Sequence, residues 1–530
     1  MKIVFFPIVL LSWCSAFILP SKFFIWSELH QSIAIVFSIL IASFFIVKNK
    51  FKLDEYAYFC LSFILISIIV FLGRKTTYHS YLVIAIFFIL VSFCAYSIGK
   101  ILPLHTVLKA ISFAMIFVCI FNIFIQFLQV NHLEWLPVEW INNFNNPTDR
   151  PSANIAQPNR LASIYLSIAA ILYLAVKENV LKSIYLWVML IPFSYGISLT
   201  QSRTGYLVII VLALITLIQK NEKAGLKAYF SFMFACSITV KFLLHTEKNQ
   251  ASRELLSNLN NGRFDLWNSS LIFIKNSPWL GYGVNETARA HFLNSETSKI
   301  TNILAAQAHN IFLDFFIWFG IPLGGFLSII LLYVIIKTII KNKKSLYKII
   351  PLVPLLIHAQ LEYPLYYANG LLLFSLLLGI ANNSPEVRQE ANDTHATFSL
   401  FPLITLQLFA FVLFVELISL EIGLTQQRNY YYGFSNEKFD SSNIIFMDIP
   451  KDYIHTLSIR PDEKWKEKEI KIVEELCNYF VSSRYYATLV KFYTLAGDEE
   501  SANFWLSKSQ RLNSVENAQR IMKLRNELLK

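Results

Sequence analysis

The feature that most constrains this chain is an apolar run long enough to cross a bilayer, repeated from the N-terminus to about residue 422. A helix needs about 20 such residues to span the hydrocarbon. The spans read from the sequence are 3–20, 31–47, 57–73, 81–99, 104–130, 160–176, 183–199, 205–219, 228–245, 310–336, 349–361, 367–381 and 400–422. Charged residues make up only 15% of the chain, against about 25% in a soluble globular protein. At a mean hydropathy of +0.49, apolar residues exceed what one soluble core can bury. Disorder, collagen, a coiled coil and a small disulfide scaffold are excluded. The pattern predicts an all-α, polytopic integral membrane protein with about 12–13 transmembrane helices over residues 1–424. A large loop at 246–309 and a small soluble helical domain at 425–530 complete it.

The balance of 46 Lys+Arg against 35 Asp+Glu gives a net charge of +11. Its placement points to topology rather than to nucleic acid, because the basic residues fall mostly in short gaps between apolar runs. The gaps 48–56, 100–109, 177–182, 220–227, 337–348 and 382–399 hold 16 Lys+Arg, whereas 21–30, 74–80, 131–159 and 200–204 hold 5. The positive-inside rule puts the first set and the N-terminus in the cytoplasm. Residues 131–159, 200–204, 246–309, 358–366 and the tail then face outward. The first run has Lys2 ahead of it but no A-x-A type cleavage site, so it is read as a retained span rather than a signal peptide. Of six cysteines, only Cys477 lies in a polar region, and no CxxC or His/Cys cluster supports a disulfide framework or a metal site.

Three regions do not read as spans. The loop 246–309 is long, polar and Asn-rich, as functional loops often are. Residues 131–159, with Trp135 and Trp140, read as an interfacial loop. The tail shows helical patterning from about 465, and ATLVKFYTLAGDEESANFWLSKSQRLN is spaced like one helix–turn–helix of a tetratricopeptide repeat. One such unit is too little for a solenoid. It is either a small helical bundle or a protein-docking module.

Candidate functional residues are the polar groups at the outward ends of spans, where a charge is costly unless it is paired or used. In LTQSRTGY, Arg203 is either a snorkelling anchor or an anion clamp, with Ser202 and Thr204 as neighbouring hydroxyl donors. In NGRFDLWNSSLIFIKNSPWLGYGVNE, Asn261-Gly262 marks a turn, and Arg263 opens an amphipathic segment with Leu266, Trp267 and Leu271 on one side. Gly281 and Gly283 permit a tight turn or a close backbone approach. In AQAHNIFLDFFIWFGIPLGG, His309 and Asn310 lie at a loop–span junction, and Asp314 can orient the imidazole if both lie on a helix. Gly320 and Gly324 have the small-xxx-small spacing of close helix packing.

In HAQLEYPLYYANG, His358 and Glu362 are one helical turn apart, ahead of the break at Pro364. Arg203 or Arg263 is the natural partner for that carboxylate. Tyr363, Tyr366 and Tyr367 form either an interfacial aromatic belt or a sugar-contacting wall. In PSANIAQPNRLAS, Pro158 sits at a helix entrance, and Gln157, Asn159 and Arg160 either cap the helix or bind carbohydrate hydroxyls. Arginines, histidines and a carboxylate on one face of a hydrophobic bundle suit a lipid-linked polyanionic substrate.

The pieces AQPNRLA, LTQSRTGYL, GRFDLW, SPWLGYGVNE, AHNIFLDFFIWFGIPLG and HAQLEYPL, in this order, resemble the PglL-type bacterial protein O-oligosaccharyltransferases. These belong to the O-antigen ligase (WaaL) and Wzy polymerase superfamily. The resemblance covers residues 150–380 and transfers nothing to the tail. It implies an inner-membrane enzyme with its active site facing the periplasm. The implied reaction moves an oligosaccharide en bloc from undecaprenyl pyrophosphate to a Ser or Thr hydroxyl of a periplasmic protein such as a pilin, without cofactor or metal. The AQPN and HxxxEYP pieces resemble the protein-glycosylating branch rather than the lipopolysaccharide ligases. The alternatives are transfer to lipid A–core and polymerisation. The family's functional residues fall on Gln157, Arg203, Arg263, His309, Glu362 and Tyr363.

That activity agrees with the residue chemistry. Arg203 and Arg263 suit compensation of the departing pyrophosphate. His309 suits a general base, a role worth about 10²–10⁴-fold in rate, and Glu362 is the other candidate. Gln157, Asn159, Asn310, His358 and Tyr363 are then substrate-binding residues, and attack opposite the leaving group predicts inversion.

Overall fold

The computed structural model describes residues 12–20, 29–44, 53–74, 78–133, 135–136, 141, 150–219, 223–244, 262–383, 400–459 and 464–530. Residues 3–11 of the first expected span, Trp140 and Asn261 lie outside these. Among the described residues every regular element is a helix. Eight helices are long and apolar enough to cross a membrane: Glu55–Gly73, Ser80–Ile101, Leu104–Asn131, Pro158–Lys177, Ser183–Thr200, Ala224–Leu243, Ile311–Lys341 and Gln407–Tyr431. Four shorter apolar helices, Leu29–Ile41, Arg203–Leu217, Leu346–Leu361 and Ala368–Ala381, fall on four of the five remaining expected spans. The protein is an all-helical polytopic membrane protein.

The chain forms two compact units. The first comprises Met1–Tyr58, Phe88–Leu259 and Leu331–Phe414. Its hub is helix Pro158–Lys177, of which 89% is buried, against 28–61% in the other long helices. Ala162, Ser163, Ser167, Ala169 and Ala170 keep it slender, so neighbouring backbones approach closely. It packs against Leu104–Asn131, Leu190–Thr200, Arg203–Leu217 and Val353–Leu361. Three candidate residues, Gln157, Asn159 and Arg160, sit at its N-terminus.

Part of the expected interfacial loop is not at the surface. Trp135 is 65% exposed, but Ala153, Asn154 and Ile155 are buried. Their backbone is held by side chains from neighbouring helices. Gln129 Oε1 accepts from Ala153 N–H at 2.9 Å, and Gln126 donates to the Pro151 carbonyl at 3.1 Å. Gln31 donates to the Asn154 carbonyl at 3.3 Å. Irregular backbone among apolar helices is tolerated where protein groups satisfy it in this way.

The second unit comprises Phe59–Phe87, Asn260–Ile330 and Val415–Lys530. Its most unusual element is Ile311–Lys341, which breaks at Gly320, where φ is 74° and ψ 178°. The expected small-xxx-small contact between helices is not what these glycines make. Gly320 and Gly281 instead let two backbones meet: a Cβ on Gly320 would lie 2.4 Å from the Trp279 carbonyl oxygen, and one on Gly281 2.4 Å from the Trp318 carbonyl carbon. The segment 278–283 closes over the break and caps the carbonyls it frees, with Tyr282 N–H donating to Ile317 O at 2.8 Å and Gly283 N–H to Trp318 O at 3.0 Å. Ile321 N–H, freed by the break, donates to Pro278 O at 2.7 Å. Gly324 packs on the Phe315 carbonyl of the preceding half-helix, so the bend is sharp.

The tail is helical, with Asp448–Thr456, Glu467–Cys477, Ser483–Leu495, Glu499–Leu512 and Val515–Leu528. The expected helix–turn–helix is Ser483–Leu495 and Glu499–Leu512, turned at Gly497 with φ 75°.

Candidate active site

In the first unit, hydrogen bonds join three segments that are far apart in sequence. Gln157 caps helix Pro158–Lys177, its side chain accepting from Arg160 N–H, and Pro158 takes the first helical position, where no N–H is needed. Asn159, in the first turn, donates from Nδ2 to Glu362 Oε1 at 3.1 Å and accepts from Arg150 Nη2 at 3.4 Å. Arg150 Nη1 also donates to the Gln201 carbonyl at 3.2 Å, two residues before Arg203. Arg150, Asn159, Glu362 and the turn carrying Arg203 are therefore one connected group.

Arg203 opens helix Arg203–Leu217 and is half-buried. Ser202, expected to add a donor, is the N-cap instead: its hydroxyl oxygen accepts from Gly205 N–H at 3.0 Å. Thr204 is buried beside it.

Glu362 does not continue the helix of His358 as expected. The helix ends at Leu361, and Glu362 turns extended, with φ −154° and ψ −160°. Pro364, two residues on, ends the helix by withholding an N–H. Both His358 and Glu362 are buried, and the backbone of the pair stays linked, Glu362 N–H donating to His358 O at 2.8 Å. Tyr363 stacks with Tyr367 at 5.4 Å between ring centroids. Burial pushes both phenols above their usual range, so each stays a protonated donor. The described tyrosines thus form a partly buried wall, and Tyr366 is the exposed one.

One residue of this group carried no role in the sequence reading. Arg150 was legible only as a lone arginine before Pro151. Arg160, read there as either a helix cap or a carbohydrate-binding residue, is 3% exposed, lies 3.8 Å over the Tyr367 ring and donates to Asn369 Oδ1 at 2.6 Å. An arginine inside a recurring motif at a helix entrance was the available signal.

In the second unit, Arg263 is the first residue of helix Arg263–Asn276, after Gly262 at φ 66°. Its buried stripe is Leu266, Ser269, Ser270, Phe273 and Ile274; Leu271, expected on that side, is 57% exposed. His309 is half-buried, with φ 56°. It precedes the helix that starts at Ile311, so Asp314 does not lie on a helix with it. Asp314 serves the loop backbone instead, Oδ1 accepting from Ala308 N–H at 2.9 Å and from Thr287 Oγ1 at 2.9 Å. Trp318 Nε1 donates to Thr287 at 2.8 Å and completes the clamp. Asn310 caps the helix, its side-chain oxygen accepting from Phe312 and Leu313 N–H at 3.0 and 3.2 Å. The positive φ of His309 is thereby fixed from both sides, a type of strain that clusters at functional sites.

Two further titratable groups line this loop. Glu286 is buried, and burial pushes its carboxyl up to about 7 even though Arg289 lies 2.8 Å away. His291 is buried and pushed down to about 4 by the same desolvation. It is neutral at physiological pH, and its Nδ1 accepts from Ala305 N–H at 2.9 Å.

Residues 187–330 match the family model described as O-antigen ligase, and residues 349–523 match that of the virulence factor membrane-bound polymerase C-terminal region. Over residues 187–330 the chain is thus similar to the O-antigen ligases. Its segments around Arg203, Arg263 and His309 all fall within the first match, and the second extends through most of the tail. Among curated proteins, the chain is similar to a general O-oligosaccharyltransferase of Acinetobacter baylyi, 30% identical over 46% of this chain and 47% of the relative. It is also similar to a ComP-specific O-oligosaccharyltransferase of the same organism, 27% identical over 48% of this chain and 50% of the relative. The chain spans about half the length of the curated relatives it matches.

Proposed function

We propose that this protein is an O-oligosaccharyltransferase of the bacterial inner membrane, with its active site facing the periplasm. It moves a whole oligosaccharide from undecaprenyl pyrophosphate to a Ser or Thr hydroxyl of a periplasmic acceptor protein of the pilin type, with inversion and without metal or cofactor. The observation that supports this most is the group Arg150, Asn159 and Glu362, tied to the turn of Arg203 in a chain whose curated relatives are both O-oligosaccharyltransferases.

The reading assigns roles residue by residue. Arg203 and Arg263 each present a planar fork of donors at a helix start, where backbone N–H groups add to the attraction for phosphate oxygens. They neutralise charge on the pyrophosphate as the anomeric C–O bond breaks. His309, held at positive φ by the Asp314 clamp, takes the hydroxyl proton as base. Glu362 is engaged with Asn159, which favours an orienting role for the carboxylate over that of base. Tyr363 and the amides of Gln157, Asn159 and Asn310 supply donors and acceptors of the kind that match sugar hydroxyls. His358 supports the turn that carries Glu362.

The test is expression of the protein with a lipid-linked glycan pathway and a periplasmic pilin, reading the intact mass of the pilin. The expected result is a whole-glycan increment that disappears in Arg203→Ala and in His309→Ala at equal protein level. An unmodified pilin beside glycosylated lipid A–core contradicts the protein acceptor. A normal increment in His309→Ala removes that residue as base.

A further inference from the structure

The second unit shows what the tail does to the loop that leads to His309. Lys508, on helix Glu499–Leu512, is 6% exposed, which is rare for a lysine. Its Nζ donates to the Phe292 carbonyl at 3.1 Å and to Ser295 Oγ at 2.8 Å. The stem crosses the Phe292 and Phe504 rings, with the charge 5.1 and 5.4 Å from their centroids. Burial lowers the affinity of this amine for its proton, and Glu296 partly offsets that loss.

The contacts around it belong to one seam. Asn302 N–H donates to the Arg511 carbonyl at 2.7 Å, Glu296 accepts from Ser507 at 3.2 Å and faces Arg511 Nε at 3.6 Å. Phe292 lies 6.0 Å from Trp505, centroid to centroid, in an apolar cluster that includes Tyr78, Ile470, Val473 and Tyr486. A second attachment lies at Asp448. Its carboxylate accepts from the N–H groups of His79 and Ser80 at 2.7 and 2.9 Å and from the Ser80 hydroxyl, and so caps helix Ser80–Ile101 from the tail.

Beyond helix Thr287–Leu293 the segment 287–310 makes short turn bonds, Thr297 and Ser298 N–H donating to Asn294 O at 3.1 and 2.9 Å, and Lys299 N–H donates to Ser269 Oγ at 3.0 Å. The segment is pinned at Thr287 and Ala308 by Asp314, at Ala305 by His291, and at Phe292, Ser295 and Asn302 by the tail. We propose that Lys508 is a positioning residue, through which the C-terminal domain holds the 287–310 loop and thereby sets the geometry of His309. The tail is then a built-in part of the loop's fold, and not only a docking module for the acceptor. The link to turnover rests on the transferase function proposed above; the link to loop order does not.

The test uses the full-length protein in detergent, with Lys508→Met, Lys508→Arg and, as a surface control, Lys523→Met, whose side chain is 79% exposed. Hydrogen exchange of peptides within 287–310 is read beside the kcat and acceptor KM of glycan transfer. The expected result for Lys508→Met is exchange at least tenfold faster in this loop, with kcat down about tenfold and acceptor KM within twofold of wild type. Lys508→Arg restores most of both, and Lys523→Met matches wild type. If Lys508→Met does not fold, Ser295→Ala removes one acceptor from the loop side, and about threefold faster exchange of 287–310 is expected. Unchanged loop exchange in the folding variant overturns the proposal, as does a raised acceptor KM at unchanged kcat, which would make the tail a docking surface. If wild type transfers no glycan, the proposed function fails, and the exchange result decides the positioning role by itself.

Discussion

Gly320→Ala tests the most specific packing feature near the candidate site. At φ 74° and ψ 178°, Gly320 lies in a region essentially limited to glycine, at a cost of about 1–3 kcal/mol for another residue. The added methyl would meet Trp279 O at 2.4 Å, Trp279 C at 2.5 Å and Pro278 O at 2.7 Å. These are backbone atoms, so no side chain can rotate away, and overpacking of this kind costs a further ~1–3 kcal/mol. A total near 4 kcal/mol, at 1.4 kcal/mol per tenfold, corresponds to local opening raised by roughly 10²–10³. The assay is hydrogen exchange at the Tyr282 and Gly283 amides, whose acceptors are Ile317 O and Trp318 O, alongside thermal denaturation in detergent. Gly325→Ala is the control: its Cβ would meet only Phe316 Cε1, at 3.5 Å, an ordinary contact. There the methyl should be neutral or add up to about 1 kcal/mol through helix propensity. Equal behaviour of the two variants, or wild-type exchange in Gly320→Ala, would refute the paired-backbone account of this bend.

Other outcomes follow from individual contacts. Asn159→Ala should lower glycan transfer about 10–100-fold without loss of protein, and Asn159→Asp should lower it further by facing Glu362 with a like charge; an Asp variant as active as wild type would contradict this. Asp448→Ala removes the cap on Ser80 and should cost about 2 kcal/mol, read as a lower Tm. His291, held at about 4 against an ordinary 6.5, takes up its proton more readily when unfolded. Its contribution of roughly 3 kcal/mol is therefore complete above pH 6.5 and lost as pH falls towards 4. His291→Gln should flatten the Tm profile in that window, and an unchanged slope would exclude His291 as its source.

The membrane architecture was legible because a spanning helix leaves a long apolar run that needs no tertiary partner to be seen. The helix–turn–helix of the tail was legible for a similar reason, its small and aromatic residues being local. Motifs whose meaning depends on a distant backbone were not. Gly320 and Gly324 have the spacing of a helix contact, but the sequence does not say that 278–283 will lie against 317–321. The relation of His309 to Asp314 turned on whether the helix begins before or after residue 311, a boundary set by the Asn310 cap. Glu362 and Asn159 are 203 positions apart, as are no two residues that a local pattern can connect. Arg160 and Asn369 are 209 apart. The individual candidate residues were therefore visible as polar groups at span ends, whereas their mutual contacts required the fold.

The most direct measurement uses purified protein, undecaprenyl-pyrophosphate-linked oligosaccharide and a Ser-containing pilin, with EDTA present and no nucleotide. The intact mass of the pilin is followed over time, with lipid A–core offered in a parallel reaction. The expected result is a mass increment of one whole glycan on the pilin, absent in Arg203→Ala and His309→Ala. An unmodified pilin together with glycosylated lipid A–core would contradict the protein acceptor and make the protein a ligase, and no transfer to either would contradict the transferase itself.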